Sequence, residues 1–295
     1  MSPKNTAASV WAKLRNVAKS RSEQPEYVLN RYATERLLYR LSQSHRNSQF
    51  ILKGASLFEV WFDIPHRTTR DIDFLSFENS DVDQLIKTFV EICQINVEDD
   101  GLEFQIDTIS GQKIMETQSY DGVRMTIKAL LGRAIAHIQI DIGFDDVITP
   151  AIETISYPTI LNHRKPIISG YPKETALAEK FQAMIHLGQS NSRMKDFFDI
   201  FIMTRDFEFN GDVMSSAINA TFCHRDTPVP NDTPTALTNE FVTAKSKQWS
   251  AFLQRTQLDE RDFAEVVAGL RTFFLPMCEA LSRGKQFTKV WAPNG

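Results

Sequence analysis

Cysteine is scarce in this chain, and the three that occur are placed too far apart to act together. Cys93, Cys223 and Cys278 are odd in number and widely spaced, which argues against a disulfide framework and a zinc site and fits a reducing cytoplasm. Long apolar runs are missing too. No stretch approaches the roughly 18 apolar residues of a membrane-spanning helix. The opening residues Met1-Ser-Pro-Lys-Asn-Thr-Ala-Ala-Ser-Val10 hold no apolar signal-peptide core. A cytoplasmic protein without a membrane partner is expected. Neither sign of charge dominates. Lys and Arg number 33 against 37 Asp and Glu, for a net charge of −4. That balance speaks against a bulk polyanion binder, while a local basic face for nucleic acid stays open. Internal repeats are absent.

What is present is core material. Hydrophobic residues make up 42% of 295 positions and Phe alone occurs 21 times, enough for one large domain or two intimate ones. Residues 7–46 carry helical periodicity, with Val10, Leu14 and Val17 on one face and Leu29, Tyr32, Leu37 and Leu41 continuing it. Phe50-Ile51-Leu52 reads as a strand turning at Lys53-Gly54 into a helix over 55–62. Strands are expected at 71–75, 102–109, 123–131 and 134–142, with a helix over 81–94 and a solvated turn at Glu98-Asp99-Asp100. Beyond about residue 171 the pattern turns helical, at 173–187, 195–205, 236–255 and 259–283, with a Pro-rich connector at 226–234. The order helices, mixed α/β, helices predicts an α+β core clasped by helical segments.

The chemistry centres on Asp71-Ile72-Asp73. Residues i and i+2 of a strand project to one face, so two carboxylates stand side by side and repel. A divalent cation relieves that repulsion, and Mg²⁺ takes oxygen ligands from one or two carboxylates plus substrate phosphates. A third acid, Asp141, ends the alternating run His137-Ile-Gln-Ile-Asp141, as a two-metal phosphoryl-transfer site requires. Lys53-Gly54-Ala55-Ser56 lies at a strand-to-helix turn, where backbone N–H groups meet phosphate oxygens and Gly54 permits close approach. Arg67 and Arg70 flank the acid pair, either as phosphate or RNA contacts or as counter-ions. Lys180 borders the apolar stripe Ala176, Leu177, Phe181 and Met184 of a helix, where it would snorkel in the bland reading. Asp196 and Asp199 open the next helix, where first-turn acids suit the helix dipole. His66, His137, Trp61 and Trp249 read as packing residues.

Several segments together carry a resemblance: Glu35-Arg-Leu-Leu-Tyr-Arg-Leu-Ser42, Phe50-Ile-Leu-Lys-Gly-Ala-Ser56, Arg67-Thr-Thr-Arg-Asp-Ile-Asp-Phe74, Ala178-Glu-Lys180, Arg193-Met-Lys-Asp-Phe-Phe-Asp199 and Gln248-Trp-Ser-Ala-Phe-Leu253. The chain resembles the polymerase-β-like nucleotidyltransferase superfamily, and within it the AbiEii/AbiGii-type toxins of abortive-infection and toxin–antitoxin systems. Ala55 departs from the Gly or Ser that the superfamily places after the first glycine, which leaves the hydroxyl role to Ser56. The resemblance implies a nucleotidyltransferase core with a mixed sheet at 49–168, N-terminal helices at 1–48 packed on it and a helical region at 169–295. It implies Asp71, Asp73 and Asp141 as ligands of Mg²⁺ or Mn²⁺. Lys53, Gly54, Ser56, Arg70, Lys180 and Arg193 would hold the NTP, with Lys180 and Asp196 counted in the catalytic set. A tRNA 3′ end is the favoured acceptor and a separate winged-helix antitoxin the expected partner. Protein nucleotidylation, a non-catalytic nucleotide- or RNA-binding module and a metal-dependent nuclease are the alternatives. Gly54 and Lys180 favour transfer over hydrolysis.

Overall fold

The computed structural model describes residues 6–63, 66–67, 69, 71–117 and 120–293. Two units divide the chain: Met1–Asp145 with Glu153–Tyr171, and Asp146–Ile152 with Pro172–Gly295.

The first unit opens with helices α1 (Thr6–Ser20) and α2 (Pro25–Ser42). The helical pattern expected over 7–46 is broken between them, where Ser22 adopts φ 55 and Pro25 sits at the first turn of α2. Proline suits that place because its missing N–H would have no helical partner there. Strand β1 (Phe50–Lys53) runs through a 3₁₀ turn, Gly54–Leu57, into the one-turn helix α3 (Phe58–Trp61). Strand β2 (Asp71–Ser76) follows, then α4 (Val82–Cys93), whose cap Asp81 accepts the Gln84 N–H at 2.8 Å. Strands β3 (Leu102–Thr117), β4 (Tyr120–Leu131), β5 (Ala134–Phe144), β6 (Glu153–Ser156) and β7 (Ile167–Gly170) complete the unit. They form one seven-stranded mixed sheet ordered β3-β4-β5-β2-β1-β7-β6. β2 is central, parallel to β5 and antiparallel to β1.

Alternation divides the sheet into two chemistries. Leu52, Ile72, Phe74, Val123, Met125, Ile140 and Ile142 are each at most 1% exposed. Phe89 of α4 reaches the Phe50 ring at 5.4 Å, and Phe50 meets Phe74 at 5.6 Å, which seats α4 on that apolar face. α2 approaches the opposite face, where Asn30 Oδ1 accepts the His137 backbone N–H at 3.0 Å. Two expectations fail here. Asp100, expected to be solvated with its neighbours, is 2% exposed, and α2 buries Glu35, Arg36 and Arg40 rather than presenting a polar back. The reason is mutual: Arg36 Nε and Arg40 Nη1 donate to Asp100 Oδ2 at 3.0 and 2.7 Å, and the Leu102 N–H donates to Oδ1 at 3.1 Å. Burial raises the Asp100 carboxyl, but these cationic donors outweigh it and hold it below the usual carboxylate range.

The second unit comprises α5 (Lys173–Leu187), α6 (Met194–Asp206), β8 (Phe209–Asn210), α7 (Gly211–His224), α8 (Asn239–Thr256), α9 (Phe263–Ser282) and β9 (Val290–Trp291), which pairs with β8. Phenylalanines fill its core. Phe181 stacks on Phe274 at 3.9 Å, Phe197 meets Phe263 edge-on at 5.3 Å, and Trp249 stacks on Phe263 at 4.8 Å. Among the described residues no helix is long and apolar enough to cross a membrane.

Candidate functional site

Pairing across the sheet assembles a row of charges. Lys53 on β1 is register partner to Asp73 on β2, Asp73 to Asp141 on β5, and Asp141 to Arg124 on β4. Register partners share a face, so the order is cation, anion, anion, cation. Asp71 lies two residues before Asp73 on that face, and its own row continues through Gln139, Thr126 and Ser110. The same alternation that buries Ile72, Ile140 and Ile142 therefore turns all three acids to the other side.

The turn after β1 is shaped around these acids. Gly54 has φ +70, and a Cβ there would overlap the Asp73 carboxylate. Only glycine satisfies both the left-handed backbone and the contact. Ser56 is buried, and its hydroxyl donates to the Asp71 backbone carbonyl at 3.2 Å; the Thr69 hydroxyl donates to the same carbonyl at 3.3 Å. Lys53 is 9% exposed, with its Nζ 5.9 Å from the Tyr171 ring centre.

Arg124 is the residue that sequence reasoning missed. Its Nε and Nη2 donate to Asp141 Oδ1 and Oδ2 at 2.8 and 2.7 Å, a two-pronged clamp. Hydrogen bonding to Asp141 raises the basicity of the guanidinium above its ordinary value. Burial opposes the rise, and the charges of Asp141, Asp71 and Asp73 add to it. Arg124 thus lies in the field of all three acids. Its only sequence signal is a basic residue in alternation with Val123 and Met125, and without the β4–β5 register that does not point to Asp141.

Among the described residues no three His, Cys, Asp or Glu side chains converge as a ready-made metal cage. Both Asp141 oxygens are engaged by Arg124, which accounts for its part in this. Mg²⁺ rarely uses an all-protein cage and completes its shell with substrate phosphates and water. Two hard carboxylates on one strand face, one cradled by a glycine turn, suit that mode of binding.

The remaining expected site residues fall elsewhere. Lys180, Asp196, Asp199 and Arg193 belong to the second unit and form a cluster of their own. Lys180 Nζ donates to Asp196 Oδ1 and Asp199 Oδ2, each at 2.8 Å, and Arg193 Nε donates to Asp196 Oδ2 at 2.6 Å. Burial raises the Asp196 carboxyl, but Lys180 and Arg193 outweigh it and hold it far below the usual range. Arg67 lies 5.6 Å over the Phe58 ring, and His66 packs edge-on against Phe62. His137 is exposed on the polar face. Arg70 lies outside the described residues.

The comparisons with known proteins agree with this geometry. A crystal structure of JHP933 from Helicobacter pylori superposes with a TM-score of 0.51 at 14% identity, covering 88% of this chain and 95% of that one. A second Helicobacter pylori structure, of a candidate nucleotidyltransferase, gives 0.48 at 14% identity over 88% and 98% of the two chains. No curated protein matches by sequence. The family model described as "Nucleotidyl transferase AbiEii toxin, Type IV TA system" matches residues 36–269, well over half of the chain. The chain belongs to the AbiEii family of nucleotidyltransferase toxins.

Proposed function

We propose that the protein moves a nucleoside monophosphate from an NTP to an acceptor hydroxyl in a Mg²⁺-dependent reaction, with the tRNA 3′ end as the favoured acceptor. The observation that supports this most directly is the row Lys53–Asp73–Asp141–Arg124 with Asp71 on the same face. Asp71 and Asp73 are the metal-binding pair, and Asp141 completes the acid set. When bound, Mg²⁺ supplies charge neutralisation at the triphosphate and lowers the pKa of an attacking hydroxyl.

The chain's own residues do the positioning, which dominates catalysis of phosphoryl and nucleotidyl transfer. Gly54 lets the backbone approach phosphate oxygens closely, and Ser56 fixes the turn to the Asp71 main chain. Lys53 brings a positive charge to the end of the row. Arg124 acts through Asp141: its fork fixes both carboxylate oxygens, so it is a positioning residue. Membership in a type IV toxin–antitoxin family implies a separately encoded antitoxin; a winged-helix protein is the expected form.

The test is incubation of the purified chain with each of four α-labelled NTPs, Mg²⁺ and bacterial RNA, beside an Asp71→Asn/Asp73→Asn double variant. Label in tRNA-sized RNA, lost in the variant and on chelation, is the expected result. Label confined to protein would move the acceptor to a protein hydroxyl. Absence of label from both, with NTP and metal bound, would defeat the transfer reading.

A further inference from the structure

A cavity of about 580 Å³ opens in the first unit between α2, the Glu59 turn of α3 and the segment 157–160. Glu23, Arg31, Glu35, Glu59, Asp63 and Tyr157 are among its walls. Its volume falls within the range of small-molecule sites. A narrower hollow beside it is lined by Asp71 and Ser56 and shares Arg31, Glu59 and Tyr157 with the larger one. The cavity therefore continues to the face that carries the acid pair.

Two features of the lining restrict its occupant. First, acids outnumber cations among the described lining residues: Glu23, Glu35, Glu59 and Asp63 stand against Arg21 and Arg31. Arg31 is already committed, its Nη1 to Glu23 at 3.1 Å and its Nη2 to Glu59 at 3.3 Å. A phosphate would meet repulsion there, so the occupant is an uncharged, hydrogen-bonding group. Second, Glu35 is 1% exposed and half satisfied. Its Oε2 accepts the Ile160 N–H at 2.7 Å, while Oε1 is buried without a hydrogen-bond partner among the described residues. A buried polar atom left unpaired costs about 1–3 kcal/mol, and here it borders a space that a ligand can fill. Burial pushes the Glu35 carboxyl up to about 8, with the Ile160 N–H and Arg36 pulling it down less strongly. Near neutral pH it is largely uncharged and both donates and accepts.

We propose that this cavity receives the nucleoside portion of the NTP, with Glu35 Oε1 hydrogen-bonding to the base or ribose while the triphosphate lies toward Asp71 and Asp73. The inference rests on the nucleotidyltransferase reading and adds a specificity-determining residue to it. Glu35 lies on α2, remote in sequence from the acid motif, and no residue in the Asp-x-Asp strand replaces it in this role.

Equilibrium binding to the full chain in Mg²⁺ tests it, with the four NTPs and inorganic tripolyphosphate as probes for wild type, Glu35→Leu and Glu35→Gln. Glu35→Leu is expected to weaken the preferred NTP roughly tenfold and leave tripolyphosphate unchanged, as the loss of one buried hydrogen bond predicts. Glu35→Gln keeps an acceptor for the Ile160 N–H but offers only donors to the cavity, so the order of preference among the four NTPs should change. If Glu35→Leu fails to fold in a melting scan, that change in order decides alone. Equal losses for NTP and tripolyphosphate, or an unaltered order of NTPs in Glu35→Gln, overturn the assignment. Unchanged NTP binding with a raised KM for RNA gives the cavity to the acceptor instead and also overturns it. A wild-type chain that binds neither NTP nor tripolyphosphate removes the underlying reading as well.

Discussion

At Gly54 two demands meet in one residue: a left-handed backbone at φ +70 and a carboxylate where a side chain would begin. Gly54→Ala is expected to cost about 1–2 kcal/mol of stability from the backbone alone. It should also lower transfer by roughly a hundredfold, because a misplacement near 1 Å has about that effect. Melting temperature and single-turnover rate on the same preparation separate the two. A variant with full activity would show that the turn does not shape the site. The acids themselves are legible in sequence. Asp71 and Asp73 obey the period-2 rule, and Asp141 stands in the apolar alternation of Ile138, Ile140 and Ile142. Arg124 and Asp100 are not legible in the same way, since each acquires meaning only from a partner that long-range pairing supplies, Asp141 for one and Arg36 with Arg40 for the other.

Helices α5 and α6 are joined by Lys180, whose ammonium faces two aspartates that are almost fully buried. Removing one member of such a group leaves an uncompensated buried charge and typically costs about 3–5 kcal/mol. Lys180→Met should therefore destabilise the helical unit before any effect on chemistry is considered. Chemical denaturation followed by tryptophan fluorescence from Trp249, whose ring lies against Phe198 of α6, reports it. The pH dependence has a defined sign. The folded-state carboxyl of Asp196 is held below its unfolded value, so its contribution is complete above the ordinary carboxylate range and disappears as pH falls through and below that range. A Lys180→Met variant as stable as the parent at pH 7 would refute this account. Strongly periodic elements such as α5 and α9 can be read from the sequence alone. Strands β6 and β7 have four residues each, too short to establish a period. Helix α7 is masked by Ser215, Ser216, Asn219 and Thr221, weak helix formers, although Met214, Ala217, Ile218 and Phe222 bury one face.

For the molecule as a whole, a ligand that binds the folded chain stabilises it by mass action, by about 2.7 kcal/mol at a hundredfold excess over Kd. Mg²⁺ with a non-hydrolysable NTP analogue should slow amide exchange most in β1, the Gly54 turn, β2 and β5, by up to about a hundredfold. Unchanged exchange in those strands, with ligand bound, would place the nucleotide elsewhere. The pairing of β2 with β5 carries one more consequence. Slipping β5 by a single residue would send Ile140 and Ile142 into water and Asp141 into the hydrocarbon interior. Packing and reactive centre are thus written in the same alignment, and a misassembled copy of this toxin cannot be compact and active together. The protein vets its own maturation: no enzyme before the core closes correctly.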